Sequence, residues 1–249
     1  MMKYVKWIVA FVFAISLIPV VMITAVEIAV YADYGYFEKE YIKYDVNAEG
    51  SIVDMEMDEL MEVTKEMMSY LRGNRKDLVV YAIIDGEETE FFNDIEKFHM
   101  NDVRNLFVAA LYIRRICLFF MLSTASVLFM LNAGVLKTLS KMVIWVMGIF
   151  DITFVTLIGL ISLNFNRAFT IFHEILFTND MWLLDPDTDR LINIVPEGFF
   201  VDTAIRIAVI YFLINFIIFS IAFLILCGKI KWIKRKNTLT QDGGTYEQG

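Results

Sequence analysis

The stretch NFNRAFTIFHEILFTNDMWLLDPDTDRLINIVPEGFF, residues 164–200, runs between two apolar segments, 143–163 before it and 204–226 after it. It mixes a histidine, carboxylates and amides with phenylalanines and a tryptophan, a combination no core helix requires. Phe165, Phe169, Phe172 and Leu176 recur at spacings of 4, 3 and 4, which predicts a helix over 165–176 with one aromatic face and His173 beside it. Asp185-Pro186-Asp187 then breaks any helix, because proline lacks the amide donor and restricts the residue before it. An aromatic amphipathic helix flush with a long apolar run belongs at the boundary of lipid and water, where rings prefer the headgroup level. The flanking runs are therefore read as membrane spans.

Composition agrees. With 58% hydrophobic residues and three prolines, the chain is too apolar for an ordinary soluble domain. Four runs, 8–30, 116–136, 143–163 and 204–226, reach the ~20 residues that a helix needs to cross ~30 Å of hydrocarbon. The first follows Lys3 and Lys6 and precedes small residues, as a signal peptide would, but it exceeds the ~7–15 residues of a signal core. Lys3, Lys6, Lys137, Lys141, Lys229, Lys231, Lys234, Arg235 and Lys236 all flank one side, which predicts both termini in the cytoplasm. The predicted order is a first transmembrane helix (1–30), an external cap (31–107), an interfacial helix and second span (108–136), a third span (143–163), an external loop (164–203), a fourth span (204–228) and a polar, disordered cytoplasmic tail (229–249). The net charge of −8 and the acidic external runs speak against nucleic acid as a partner.

In the cap, Leu60, Thr64, Met67, Met68 and Leu71 predict a helix over 57–71, stopped at Gly73, with its methionines as packing material. LVVYAII (78–84) reads as a buried strand, and Asp85-Gly86 followed by TEFF (89–92) reads as a hairpin. Residues 93–107, NDIEKFHMNDVRNLF, hold the other histidine on a helix that runs into span two. His99 and Asp102 share a helical face there, and the carboxylate is expected to hold one ring nitrogen. Arg104, Arg114 and Arg115 suit headgroup anchors. Glu27, near the outer end of span one, is either paired or a hydrated surface carboxylate, and Asp151 in span three must face another helix or water. The fold class is a mainly α membrane protein with four transmembrane helices, a small external α+β cap and an external amphipathic-helix loop.

The chain has two histidines, and both fall in external stretches that abut the membrane. His173-Glu174 is followed by Ile175, Leu176 and Phe177, so the H-E-x-x-H zinc motif is absent; a zinc site from His99, His173 and one carboxylate stays open. There is no G-x-S-x-G elbow, Walker loop or glycine-rich dinucleotide turn, and Cys117 and Cys227, at opposite membrane faces, have no activating neighbour. Two imidazoles without a nucleophile suit proton movement, one taking and the other giving a proton. At an unperturbed pKa of ~6.5, one neutral and one protonated ring coexist near neutrality.

FHEILFTNDMWLLDPDTDRLINIVPEGFF (172–200), together with FHMNDVRNLF (98–107), resembles the bacterial lipoprotein intramolecular transacylase family. The resemblance implies an enzyme of the bacterial plasma membrane with its active site at the outer face. Its partners would be diacylglyceryl-modified lipoproteins and membrane lipid, with no cofactor and no metal. The implied reaction moves the sn-2 acyl chain of the diacylglyceryl-cysteine to that cysteine's α-amino group, giving the lyso-form. By this matching the catalytic histidines are His99 and His173, and Asp102, Asn179, Asp180, Trp182, Asp185, Pro186 and Asp189 are the other motif positions. Arg167 and the Trp182 indole are candidate oxyanion donors, and Arg104 completes the supporting set. The competing reading is a non-enzymatic accessory or sensor protein whose external cap binds a partner.

Overall fold

The computed structural model describes residues 2–84, 86–130 and 135–228. The first helix, α1 (Met2–Tyr31), is apolar on all sides and carries Pro19 in its interior. It stands at the centre of the bundle, packed against α4 (Asp94–Met130), α5 (Val135–Leu163) and α8 (Glu197–Leu226). Ala10, Ala14, Ala25 and Ala29 of α1 are fully buried. Small residues four apart let helix backbones approach closely, which is how association is favoured where lipid is as apolar as the helices themselves. These four helices are long and apolar enough to cross a membrane.

Two carboxylates of the spanning helices, Asp151 and Glu27, are paired. Asp151 on α5 accepts from Tyr211 Oη at 2.7 Å and from Asn215 Nδ2 at 3.2 Å, both on α8, so the carboxylate faces another helix. Glu27 is ion-paired, with Arg72 at 3.4 Å and with Arg114 of α4, which decides between the two expectations for it.

The cap is built on α2 (Gly35–Lys43), α3 (Met57–Leu71) and an antiparallel hairpin of β1 (Tyr81–Ile84) and β2 (Glu87–Glu90). Its core gathers Phe37, Tyr41, Leu60, Val63, Met67, Phe91 and Phe92, continuous with Leu191, Ile194 and Phe199 from the second external segment. Tyr41 Oη and Thr64 Oγ1 share a buried hydrogen bond of 2.7 Å. Gly73 ends α3 at φ +83, a left-handed value that a side chain would strain. Gly198 has a different constraint, because a Cβ there would stand 2.4 Å from the Tyr44 ring.

Four details differ from expectation. The strand is shorter than 78–84 and buried on one side, since Leu78, Val80, Ala82 and Ile84 are buried while Val79, Tyr81 and Ile83 are exposed. A two-stranded sheet has one covered face, so the apolar run alternates in the structure although it does not alternate in sequence. Its partner is Glu87–Glu90, paired Ile84 to Glu87, and not 89–92; Phe91 and Phe92 follow the strand into the core. The helices α2 and α7 (Arg190–Ile194) were not anticipated, and residues 197–203 belong to α8. Residues 229–249 with their basic cluster, 131–134 at the end of span two, and Asp85 lie outside the described residues.

At 37 residues α4 is ~55 Å long, well beyond a ~30 Å hydrocarbon core. Its first turns therefore stand clear of the span, and they carry His99. The remaining external helix, α6 (Phe165–Leu176), starts where Asn164 Oδ1 accepts from the amide of Arg167 at 3.0 Å, an N-cap that separates it from α5.

Candidate active site

The N-terminus of α4 is fixed by a reciprocal cap. The amide of Asn93 donates to Glu96 Oε2 at 2.7 Å, and the amide of Glu96 donates to Asn93 Oδ1 at 2.9 Å. Glu96 is buried, and its other oxygen accepts from the amide of Leu191 at 2.5 Å. Asn93 Nδ2 in turn donates to Asp189 Oδ1 at 2.6 Å, while the amide of Asp185 donates to Asp189 Oδ2 at 2.7 Å. The loop between α6 and α7 is thus tied to Asn93, six residues before His99, and α7 to Glu96, three residues before it. The Asp185 side chain accepts from the amide of Asp187 at 3.0 Å, which folds the Asp-Pro-Asp corner on itself.

This brings the two histidines together. The rings of His99 on α4 and His173 on α6 lie 6.0 Å apart between centroids, tilted by 35°. His173 is 6% exposed, whereas Ile171, Phe172, Ile175 and Leu176 of the same short helix are exposed. The helix turns its imidazole inward and much of its apolar surface outward, as expected at a lipid boundary. Phe169 (4.0 Å between centroids), Phe172 (5.3 Å), Phe177 (5.6 Å) and Trp182 (4.9 Å, stacked) surround the ring.

The contact of His173 Nδ1 with the carbonyl oxygen of Phe169, 2.7 Å, fixes the tautomer. A carbonyl can only accept, so in the neutral ring Nδ1 carries the proton and Nε2 keeps the lone pair. Burial lowers the pKa of His173, against the opposing effect of that hydrogen bond. Burial and the neighbouring His173 push His99 down to about 4, with Asp102 acting in the other direction. Both shifts favour the neutral ring, and the expectation of two unperturbed imidazoles is corrected on that ground: burial penalises the charged form of each.

Asp102 does not hold a ring nitrogen among the hydrogen bonds of the described residues. Its Oδ2 accepts from Asn179 Nδ2 at 2.9 Å, and Asn179 Oδ1 accepts from the amide of Met181. The pair joins α4 to the loop that carries Trp182. Asp180 is exposed in the wall of an open cleft of about 420 Å³, with Thr170, Glu174, Phe177 and Trp182. A smaller cleft of about 190 Å³ lies on the Asp102 and Leu176 side. Arg104 is turned away into the cap, where it donates to the carbonyls of Tyr70 (3.1 Å) and Arg75 (3.4 Å) and stacks on the Tyr70 ring. Arg167 is exposed in the first turn of α6, six residues before His173 and so about 240° round the helix from it. Asp185 and Asp189 shape the loop through their hydrogen bonds to the amides of Asp187 and Asp185 and to Asn93. Among the described residues no three His, Cys, Asp or Glu side chains are grouped to hold a metal ion.

Sequence reasoning passed over Asn93, Glu96 and Phe177. The Asn-x-x-Glu spacing ahead of a helix was a readable signal for the first two. Nothing local marks Phe177, whose importance comes from its contact with both histidines.

The family model described as lipoprotein intramolecular transacylase Lit matches residues 11–200. Among solved structures, the membrane-integral lipoprotein intramolecular transacylase Lit from Bacillus cereus superposes with a TM-score of 0.71 at 22% identity, covering 91% of this chain and 98% of that one. Two variants of that protein, with one histidine replaced by alanine or by arginine, superpose with TM-scores of 0.69 at 22% identity; each covers 91% of this chain, and 96% and 94% of theirs. A comparison with curated proteins gives no match. This four-span membrane protein with its small two-stranded cap belongs to the lipoprotein intramolecular transacylase family.

Proposed function

We propose that the protein moves the sn-2 acyl chain of a diacylglyceryl-cysteine lipoprotein onto the α-amino group of the same cysteine, at the outer face of the membrane, with His99 and His173 handling the protons. The observation that carries this reading is the pair of imidazoles 6.0 Å apart between centroids, one with its Nε2 lone pair set free by the Phe169 carbonyl.

A resting site whose two imidazoles favour the neutral form suits a substrate that brings its own protons. The α-ammonium, with an ordinary pKa of ~8, yields one proton to an imidazole, and the freed amine attacks the sn-2 ester carbonyl. The tetrahedral oxyanion falls to the indole N–H of Trp182, which, unlike Arg167, packs against an imidazole. When the ester C–O bond breaks, the imidazolium returns its proton to the leaving glyceryl alkoxide. The attacking nitrogen sheds its second proton to the other imidazole and then to water. One amide and one free hydroxyl result, and one proton is released.

Nucleophile, ester and leaving group share one molecule, so the protein's main task is to hold them in attack geometry, where effective molarities reach ~10⁵ M or more. No acyl-enzyme is needed. The acyl chains stay in the outer leaflet against the exposed Ile171, Phe172 and Ile175 of α6.

Mass spectrometry of a synthetic diacylglyceryl lipopeptide incubated with the purified protein tests the reading. The total mass should stay constant while the acyl group relocates to nitrogen, with no phospholipid or cofactor added. A strict phospholipid requirement would point to an intermolecular acyltransferase, and no conversion at all to the accessory or sensor reading.

A further inference from the structure

We infer that Phe177 selects the nucleophile: it keeps water from the two imidazoles so that the amine, and not water, takes the acyl group. This rests on the transacylase reading above. Phe177 closes α6 as its C-cap, with its amide donating to the carbonyl of His173 at 2.8 Å, and its side chain is buried. The ring stands edge-on to His99 at 5.3 Å and tilted against His173 at 5.6 Å. It also lies in the wall of both clefts, the ~420 Å³ one with Glu174 and Asp180 and the ~190 Å³ one with Asp102 and Asn105. Thr178 and Asn179 also line both clefts, and Trp182 lines the larger one and stacks on His173 at 4.9 Å, but among the described residues Phe177 is the aromatic ring that lines both clefts and contacts both histidines.

Clefts lined by carboxylates, amides and hydroxyls hold water, which needs two to four polar partners. With substrate in one cleft, the other still supplies water, and a water reaching Nε2 would be deprotonated by the same base. Its oxygen would add to the ester carbonyl, the acyl C–O bond would break, and free fatty acid would leave with the α-amino group unmodified. A buried phenyl ring between cleft and base blocks that side reaction, a recognised use of water exclusion.

The test is product partition in purified Phe177→Ala and Phe177→Leu acting on a diacylglyceryl lipopeptide in ¹⁸O-water. The ratio of free fatty acid to N-acyl product should rise on the order of tenfold in Phe177→Ala and less in Phe177→Leu. The fatty acid should carry one ¹⁸O, and an added His173→Ala should abolish it. A purely structural role would slow both products together. Should Phe177→Ala not fold, Phe177→Leu decides by the same ratio. Wild-type conversion with an unchanged ratio in the folded variants overturns this inference alone. Absence of any N-acyl product from the wild type overturns the transacylase reading and takes this inference with it.

Discussion

Asp102 on α4 accepts a hydrogen bond of 2.9 Å from Asn179, in the loop after α6, and so couples the helix of one histidine to the segment that carries the tryptophan stacked on the other. The link makes a charge-specific prediction. Asn179→Ala removes one hydrogen bond and should lower kcat several-fold, whereas Asn179→Asp sets two carboxylates face to face and should cost about tenfold or more. Lipopeptide turnover at neutral pH measures both, and equal rates for the two variants would count against the coupling.

His99→Ala and His173→Ala should each remove roughly 10²–10⁴-fold of turnover, the usual scale of general acid and base catalysis, with membrane insertion intact. On the two-histidine proposal the rings act as a unit, so the double variant should cost little more than either single one. Chelators should leave the rate unchanged. Near-normal turnover in either single variant ends the two-histidine mechanism.

The pH profile follows from the lowered histidine pKa values. A ring whose pKa is depressed stays neutral, and able to accept, as pH falls below ~6.5, so the acid limb of kcat/KM should lie below that value. The alkaline limb should track the substrate α-ammonium near ~8. Asp102 raises the pKa of His99, so Asp102→Asn should move the acid limb to still lower pH. An acid limb at or above 6.5, or an upward move in the variant, contradicts the environment described for the pair.

Glu96 provides a stability test away from the chemistry. Glu96→Ala strands the amides of Asn93 and Leu191 and should destabilise by about 1–3 kcal/mol, with Glu96→Gln, which can still accept one of them, losing less. Thermal unfolding in detergent gives the order of the three proteins.

Orientation is tested by single cysteines at Ser51, Asp187 and Lys137 after removal of Cys117 and Cys227. A membrane-impermeant thiol reagent on intact cells should label positions 51 and 187 and spare 137. The reverse pattern would place the histidines on the cytoplasmic side.

The four spans, α3 and α6 were legible in the linear order, though α2 and α7 were not, because spanning length and helical periodicity are local quantities. Four apolar runs must satisfy their backbone within each helix once in lipid, and the spacing of Phe165, Phe169, Phe172 and Leu176 was enough to set α6. The two histidines stood out for their rarity and their place beside the membrane. What the linear order could not carry was partnership. Asp102, three residues from His99, was expected to hold its ring, but Asn179, brought in from the loop after α6, supplies the donor. Arg104 looked like a headgroup or substrate contact until the cap carbonyls of Tyr70 and Arg75 claimed it. The lowering of both histidine pKa values likewise depends on neighbours that converge from separate elements, since desolvation is a property of the enclosure and not of the residue. Only the folded chain placed Glu96, Asp189 and Phe177 around the site, by joining segments nearly a hundred residues apart in one case, and by setting one ring against both histidines in another.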